Sequence, residues 1–469
     1  MQFVSFSFLI FLPLVVLINF IVPRKYRYIW LFVTSMAFYL SLDLRASVVL
    51  AVTLLLTYFE GLLLDKKRNS ASGAKSEFLL GCFIFIDVAL LLIFRAGSIL
   101  GAIGISFYML KAISYLVDVY RGDVKAEKNF VKVALFVSFF TQVVSGPIER
   151  AGNMLPQFSY PMTVDYFRLR DGLLQMLWGY LIKLVIADRL AIFVNSVYMA
   201  PAELPGSVVL VGTFFYTFEI YCDFAGYSHI AIGASRILGI DVMQNFDSPY
   251  LSASIAEFWR RWHISLSSWL RDYVYIPLGG NRKGTLRKYV NILIVFAVSG
   301  LWHGTALTFI VWGVLHAIYQ IIGYVLMPLR DKVVGIAGID RNSFSHRVYK
   351  VVVTFVLVNF AWVFFRSNSL DTALTVIQKC FDFTPWVFSD GSIYELGLNA
   401  QNFVLVSFGI LVVAIFDIIG YKGVVLREKV LAQGVWFRWL IVITGVLVVL
   451  IFGVWGPGYD SSTFIYQQF

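Results

Sequence analysis

Residues 258–284 read FWRRWHISLSSWLRDYVYIPLGGNRKG, and residues 299–305 of the apolar run that follows read SGLWHGT. Charged residues and histidines therefore interrupt sequence that is otherwise soluble in lipid. At helical spacing the first block has one polar, cationic stripe, formed by Arg260, His263, Ser267 and Arg271. The opposite stripe is apolar and consists of Phe258, Trp262, Leu266 and Trp269. This pattern predicts an amphipathic helix with one cationic face.

The composition indicates an all-α polytopic membrane protein. Of 469 residues, 59% are hydrophobic and 14% are charged, whereas a soluble domain is about 45–50% apolar. The net charge of +10 comes largely from short loops between apolar runs. In that position Lys and Arg act as topology signals, and no nucleic-acid partner is predicted. The three cysteines are well separated in apolar sequence, so no disulfide framework is expected.

About 12 segments are long enough to cross a hydrocarbon core of ~30 Å. They lie near residues 7–22, 28–42, 47–64, 78–94, 98–117, 172–199, 208–238, 289–327 (two helices), 347–366, 402–420 and 437–455. The basic loops that follow Leu64 and begin at Arg121 are expected in the cytoplasm, which places both termini outside. The predicted location is therefore a membrane that borders the cytoplasm and that the chain crosses many times.

The apolar run at 130–145 differs from the others because Gly146-Pro147 cuts it and basic residues flank it. If both flanks are cytoplasmic, the segment must dip into the membrane and return. Irregular backbone at membrane depth needs protein or a cavity around it, so a re-entrant hairpin implies a central cavity. We found no internal repeat, and one integral domain over 1–469 is expected.

Trp302-His303-Gly304 is the strongest candidate for chemistry. An ionisable side chain within an apolar span is costly and is a functional candidate by default. Small neighbours, Ser299 and Gly300 among them, let a narrow substrate approach the imidazole. These features suit a general base. The alternative is a histidine that serves helix packing by bonding to a neighbouring carbonyl.

The cationic block suggests a site for a phosphorylated ligand. Guanidinium groups grip phosphate bidentately, so Arg260, Arg261 and Arg271, with Trp262 beside them, suit a nucleotide or phosphopantetheine at a cytoplasmic entrance. A long, thin pantetheine arm would reach from there toward His303. The alternative is a cationic amphipathic helix on anionic lipid.

Glu219 and Asp223 lie four residues apart on one predicted helical face. They could bond Tyr216 and Tyr227, pair with an arginine of the cationic block, or line a watery cavity, and a structural ion pair is favoured. Cys222 and His229 make a weak dyad because nothing orients them. His316 is expected to be structural, and His346 has no assigned role. No metal-ligand or phosphate-loop motif is evident.

Several blocks together resemble the membrane-bound O-acyltransferase (MBOAT) family and, within it, the alginate O-acetyltransferase branch. Besides the two already quoted, they are GISFYMLKAISYLVDVYRG from Gly104, SGPIERA from Ser145, YCDFAGYSHIAIG from Tyr221 and NFDSPYL from Asn245. The resemblance covers most of the chain, with its core at about 100–330. His229 departs from the pattern, because an Asp is expected there.

The resemblance implies a fold and two functional histidines. The family fold is a helical ring around a funnel, with about 12 spans plus re-entrant and amphipathic helices. The family's catalytic histidine falls on His303, and its second functional histidine falls on His263. Trp302, Gly304, Glu219 and Asp223 are expected to support them.

The chain ends in a tail, 456–469, that contains FIYQQF. This sequence resembles the aromatic-tyrosine motif of the same branch and of small subunits in the related D-alanylation system. The hypothesis is that Tyr466 accepts the acyl group and passes it to an extracytoplasmic partner. The alternative is an aromatic anchor at the membrane interface.

The implied function is transfer of an acyl group from a cytoplasmic thioester toward an extracytoplasmic polysaccharide. Acetyl is the acyl group that is expected. The donor would be acetyl-CoA or an acyl carrier bearing phosphopantetheine, and no bound cofactor is expected. A secreted SGNH/GDSL-like acetyltransferase would complete the modification. D-alanyl transfer to teichoic acid, or a transporter or flippase, are the alternatives.

Overall fold

A computed structural model describes residues 1–68, 73–96, 103–159 and 165–455, and the regular structure in those residues is helical. We number the α-helices in chain order. They are α1 Phe6–Ile21, α2 Arg27–Leu40, α3 Leu44–Arg68, α4 Gly73–Ala96, α5 Ile105–Arg121, α6 Phe130–Ser138, α7 Ala151–Ser159, α8 Tyr166–Tyr180, α9 Asp188–Met199, α10 Gly206–Ile237, α11 Ile255–Arg261, α12 Ile264–Leu270, α13 Thr285–His303, α14 Leu307–Val325, α15 Met327–Ile336, α16 Phe344–Arg366, α17 Leu370–Cys380, α18 Ala400–Tyr421, α19 Leu426–Leu431 and α20 Val435–Phe452.

Eight helices in the described ranges are long and apolar enough to cross a membrane. They are α3, α4, α10, α13, α14, α16, α18 and α20. The prediction of an all-helical, polytopic membrane protein is therefore confirmed. The total of about 12 crossings stays a prediction, since helices such as α1 and α2 fall short of the length of a straight span.

The chain divides into two compact units. The first contains residues 1–180 and 226–244, and α5 is its most deeply buried helix, because all but its last two residues are shielded. Within this unit the Lys111 ammonium is 2.6 Å from the Gln142 side-chain oxygen. A buried charge requires such a partner.

The predicted hairpin corresponds to a short helix and a buried irregular segment in the first unit. Helix α6 spans nine residues, about 14 Å at 1.5 Å per residue, which is half a membrane thickness. Residues 139–149 then run without regular structure and are buried. Side chains satisfy part of this backbone: the Ser35 hydroxyl accepts from the Phe140 N–H at 3.1 Å.

The second unit contains residues 181–225 and 245–456. It opens with a π-helical segment, Leu181–Ala187, between α8 and α9. Helices α13 and α14 form its central pair, and the predicted bend between them at 303–308 is confirmed by the helix ends at His303 and Leu307. The pair is close because Gly300 faces α14: a Cβ there would lie 2.5 Å from the Phe309 carbonyl oxygen.

Candidate active site

The cationic block is two helices rather than the single amphipathic helix that its periodicity predicts. Helix α11 ends at Arg261, Trp262 is extended, and His263 has a left-handed backbone with φ of 43°. Asn245 stabilises the break, because its carbonyl accepts the Ile264 N–H at 2.9 Å and its side-chain oxygen accepts from Ser265. The break separates His263 from the polar stripe to which it was assigned.

The other three members of that stripe line one cavity of about 260 Å³ in the second unit. Arg260 and Arg271 are exposed, and half-buried Lys288 of α13 is the third cation in the lining. We call these three cations the cationic mouth. Beyond it the walls are mostly apolar, and the remaining lining residues include Trp259, Tyr275, Ile292, Val295, Phe296, Ser299, Gln320 and Tyr324.

The cavity follows one face of α13 toward His303. Its lining positions on that helix are Lys288, Ile292, Val295, Phe296 and Ser299, which recur at the spacing of a single helical stripe. Four residues after Ser299, the same stripe continues at His303. One turn of helix, about 6 Å at 1.5 Å per residue, therefore separates the inner end of the cavity from the candidate base.

His303 is 2% exposed and is surrounded by aromatic rings. Ring centroids lie 4.7 Å away for Trp302, 4.9 Å for Trp312 and 5.1 Å for Phe365. The indole of Trp312 and the phenyl ring of Phe365 are also in contact with each other. This apolar surround keeps bulk water away from the imidazole ring.

Gly304 lets α13 end close against α14. A Cβ at this position would lie 2.2 Å from the Phe309 ring, well inside contact distance. Any side chain here would displace the Phe309 ring, which packs against Phe365, a ring that contacts His303.

His263 lies away from solvent and from the cationic mouth. Its ring Nδ1 is 3.0 Å from the Asn245 side-chain oxygen, and the Phe224 ring packs edge-on at 4.7 Å. Burial lowers the pKa of His263 to about 3, so the ring is neutral at physiological pH. The Trp302 ring contacts both histidines, with centroid distances of 5.9 Å to His263 and 4.7 Å to His303, so one indole packs against both imidazoles.

The two other residues predicted to bind the donor have different surroundings. Arg261 forms ion pairs with Asp247 at 2.7 Å and Glu257 at 3.1 Å, and it lies over the Tyr421 ring. Trp262 is buried against Phe258 and Trp362 in the aromatic core. Both residues hold α11 in place, which leaves Arg260 and Arg271 to face the cavity.

Asp223 is part of a buried ion triad. The Lys183 ammonium is 2.5 Å from Asp223 and 2.6 Å from Asp188. The predicted structural ion pair is therefore found, but its cation comes from the π-helical segment and not from an arginine of the cationic block. Glu219, one turn before Asp223, is buried as well. A search for charges within the 172–199 run would have identified Lys183 and Asp188.

The remaining candidates from the sequence are His316, His229 and Tyr466. The His316 ring accepts a hydrogen bond from the Trp259 indole at 3.2 Å, which suits a structural residue. His229 lies 3.5 Å from the Gln175 amide nitrogen. Tyr466 and the tail 456–469 lie outside the described residues.

Sequence reasoning missed Lys288, Tyr275 and Tyr324 at the cavity. Lys288 lies 3.4 Å from the centroid of the Tyr324 ring, a cation–π contact that holds the ammonium at the mouth. The signal in the sequence was the spacing of Lys288 from His303 on one helix face.

A buried histidine thus lies one helical turn beyond an apolar cavity with a cationic mouth, in a polytopic membrane protein. The family model for the membrane-bound O-acyltransferase family, MBOAT, matches residues 125–367. The chain belongs to this family and is an O-acyltransferase.

Curated relatives agree with this assignment. The chain is 36% identical over 423 residues to a probable alginate O-acetylase, AlgI, of Pseudomonas fluorescens, which covers 88% of this chain and 81% of that protein. It is 31% identical to a peptidoglycan O-acetyltransferase of Helicobacter pylori over 75% of this chain and 73% of the relative. A teichoic acid D-alanyltransferase of Streptococcus thermophilus is 28% identical over 64% of this chain and 78% of its own length.

Proposed function

We propose that this O-acyltransferase takes an acetyl group from a cytoplasmic thioester and transfers it to a hydroxyl, for O-acetylation of an extracytoplasmic polysaccharide. The observation that carries the proposal is the single stripe on α13 that joins the cationic mouth at Lys288 to His303. Fifteen residues separate the two, about 22 Å at 1.5 Å per residue. Such a distance suits a long, thin thioester arm with a phosphate at its far end.

The donor is acetyl-CoA or the phosphopantetheine thioester of an acyl carrier. Arg260, Arg271 and Lys288 bind its phosphate at the mouth, where charge-assisted hydrogen bonds are strong. The uncharged arm lies along the apolar walls formed by Ile292 and Phe296. The thioester then reaches the inner end of the cavity beside His303.

His303 acts as a general base. Its imidazole removes the proton from the acceptor hydroxyl while the oxygen attacks the thioester carbonyl. The tetrahedral intermediate collapses, the C–S bond breaks, and the leaving thiolate receives the proton from the imidazolium. The products are an ester and a free thiol, so the proton balance closes without a cofactor.

The acceptor arrives from the extracytoplasmic side of a bacterial inner membrane. In this proposal Tyr466 of the tail is the first acceptor and carries the acetyl ester to a secreted SGNH/GDSL-like transferase that acts on the polymer. Normal polymer acetylation by a Tyr466→Phe variant would remove the relay and favour an interfacial anchor.

The proposal is tested with purified protein, radiolabelled acetyl thioesters and a soluble alcohol acceptor. We expect acceptor-dependent release of free thiol together with labelled ester. Uptake of label into vesicles without thiol release would indicate a transporter instead. Turnover of D-alanyl thioester in place of acetyl thioester would favour D-alanyl transfer, the reaction in the name of the Streptococcus thermophilus relative.

A further inference from the structure

Ser299 occupies the inner end of the cavity, on the same stripe as His303 and one turn before it. The residue is 0% exposed. Among the described residues its hydroxyl has no hydrogen-bond partner. A buried hydroxyl without a partner is costly, which suggests that its partner arrives with a ligand.

Five other buried serines in helices have a hydrogen-bond partner, whereas Ser76 of α4 lacks one among the described residues, like Ser299, but does not line the cavity. Each of the following donates to a carbonyl three or four residues earlier, as helical serines commonly do: Ser35, Ser47, Ser114, Ser138 and Ser235. Ser299 makes no such bond within the described ranges. Its hydroxyl therefore remains available at the end of the cavity, beside the turn that carries His303.

We infer that Ser299 is a second catalytic residue, which donates a hydrogen bond to the thioester carbonyl oxygen. This inference rests on the proposed function. As the acceptor oxygen attacks, the carbonyl π electrons move onto the carbonyl oxygen, and the Ser299 O–H stabilises that oxyanion. When the C–S bond breaks, the carbonyl re-forms and the hydroxyl keeps its own proton. His303 alone transfers the proton from acceptor to thiolate.

The test is the kcat of thiol release by a Ser299→Ala variant. Loss of one oxyanion donor lowers kcat by about 10²–10³-fold, while the KM for the acetyl thioester changes little because the bond strengthens only in the transition state. A Ser299→Thr variant retains a hydroxyl and should recover part of the rate. The matched control is Ser114→Ala, which removes a buried helical serine in the first unit and should keep wild-type kcat.

The rate with a dithioester donor, relative to the thioester, distinguishes a hydrogen bond to the carbonyl from a purely structural role of Ser299. Replacing the carbonyl oxygen with sulfur weakens the hydrogen bond to the developing anion, so the wild-type enzyme should slow much more than Ser299→Ala. Equal slowing of both proteins would overturn the inference, as would an acyl adduct on Ser299. If Ser299→Ala keeps full activity while His303→Ala has none, the role of Ser299 is refuted and the proposed function stands. If both variants keep full activity, the proposed function is refuted as well.

Discussion

Neutralising the cationic mouth should weaken donor binding without slowing the chemistry. In an Arg260→Gln variant the donor phosphate loses a charge-assisted hydrogen bond, worth about 1.5–3 kcal/mol when shielded. Arg260 is exposed, so solvent screening reduces the effect to about 1 kcal/mol, or about fivefold in KM. Lys288→Gln should act similarly, and the double variant should raise KM about 25-fold if the effects add. Arg271 should contribute less, because it is already bonded to Asp272 at 2.8 Å.

The assay is steady-state thiol release at several ionic strengths. The wild-type KM should rise with salt, and the KM of the double variant should rise less, because fewer charges remain to be screened. For acetyl-pantetheine, which lacks the phosphate, the wild type and the double variant should have the same KM. Arg282→Gln, an exposed cation on the neighbouring loop that the cavity does not use, is the control. A fall in kcat at constant KM, or an equal effect of Arg282→Gln, would refute the reasoning.

Three further predictions concern stability. Burial lowers the pKa of His263 from 6.5 to about 3, so as the pH falls the unfolded chain binds a proton before the folded protein does. The free energy of unfolding should therefore fall as the pH drops below about 6.5, by up to about 1.4 kcal/mol per pH unit. In thermal melts, the melting temperature of His263→Gln should depend less on pH than that of the wild type. Gly304→Ala should cost about 1–3 kcal/mol by overpacking against Phe309, and Phe309→Leu should restore part of the melting temperature. Lys183→Met should cost about 3–5 kcal/mol because it strands buried carboxylates, and adding Asp223→Asn should recover some of that loss in melts of the purified protein.

The long apolar elements were predictable because hydropathy alone identifies them. The runs near 347–366 and 402–420 match α16 and α18 within a few residues, since a membrane-spanning helix needs both its length and its apolar surface. The irregular segment 139–149 was indicated in part, because Gly146-Pro147 lies within it and proline is disfavoured inside a helix; the re-entrant hairpin stays a prediction.

The sequence predicts which residues are candidates for the active site, but it did not predict their orientation. Periodicity placed Arg260, His263 and Arg271 on one face by assuming a continuous helix. The structure breaks that helix, because Asn245, far away in the sequence, caps α12 and holds His263 inside. A tertiary contact of this kind leaves no periodic signal in the local sequence.

The partner of Asp223 was missed for a related reason. An ion pair in a membrane protein depends on which helices meet, and the sequence gives no distance between residues 183 and 223. Arginines in the cationic block were the obvious cations. Lys183, within an apolar run, supplies the charge instead.

The central claim is that His303 transfers the proton in thioester cleavage, and thiol release by a His303→Ala variant tests it most directly. Wild type and variant are compared at equal protein level in the membrane, with saturating acetyl thioester and acceptor. We predict that kcat falls by about 10²–10⁴-fold while donor binding persists through the cationic mouth. A variant that releases thiol and forms ester at the wild-type rate would contradict the account.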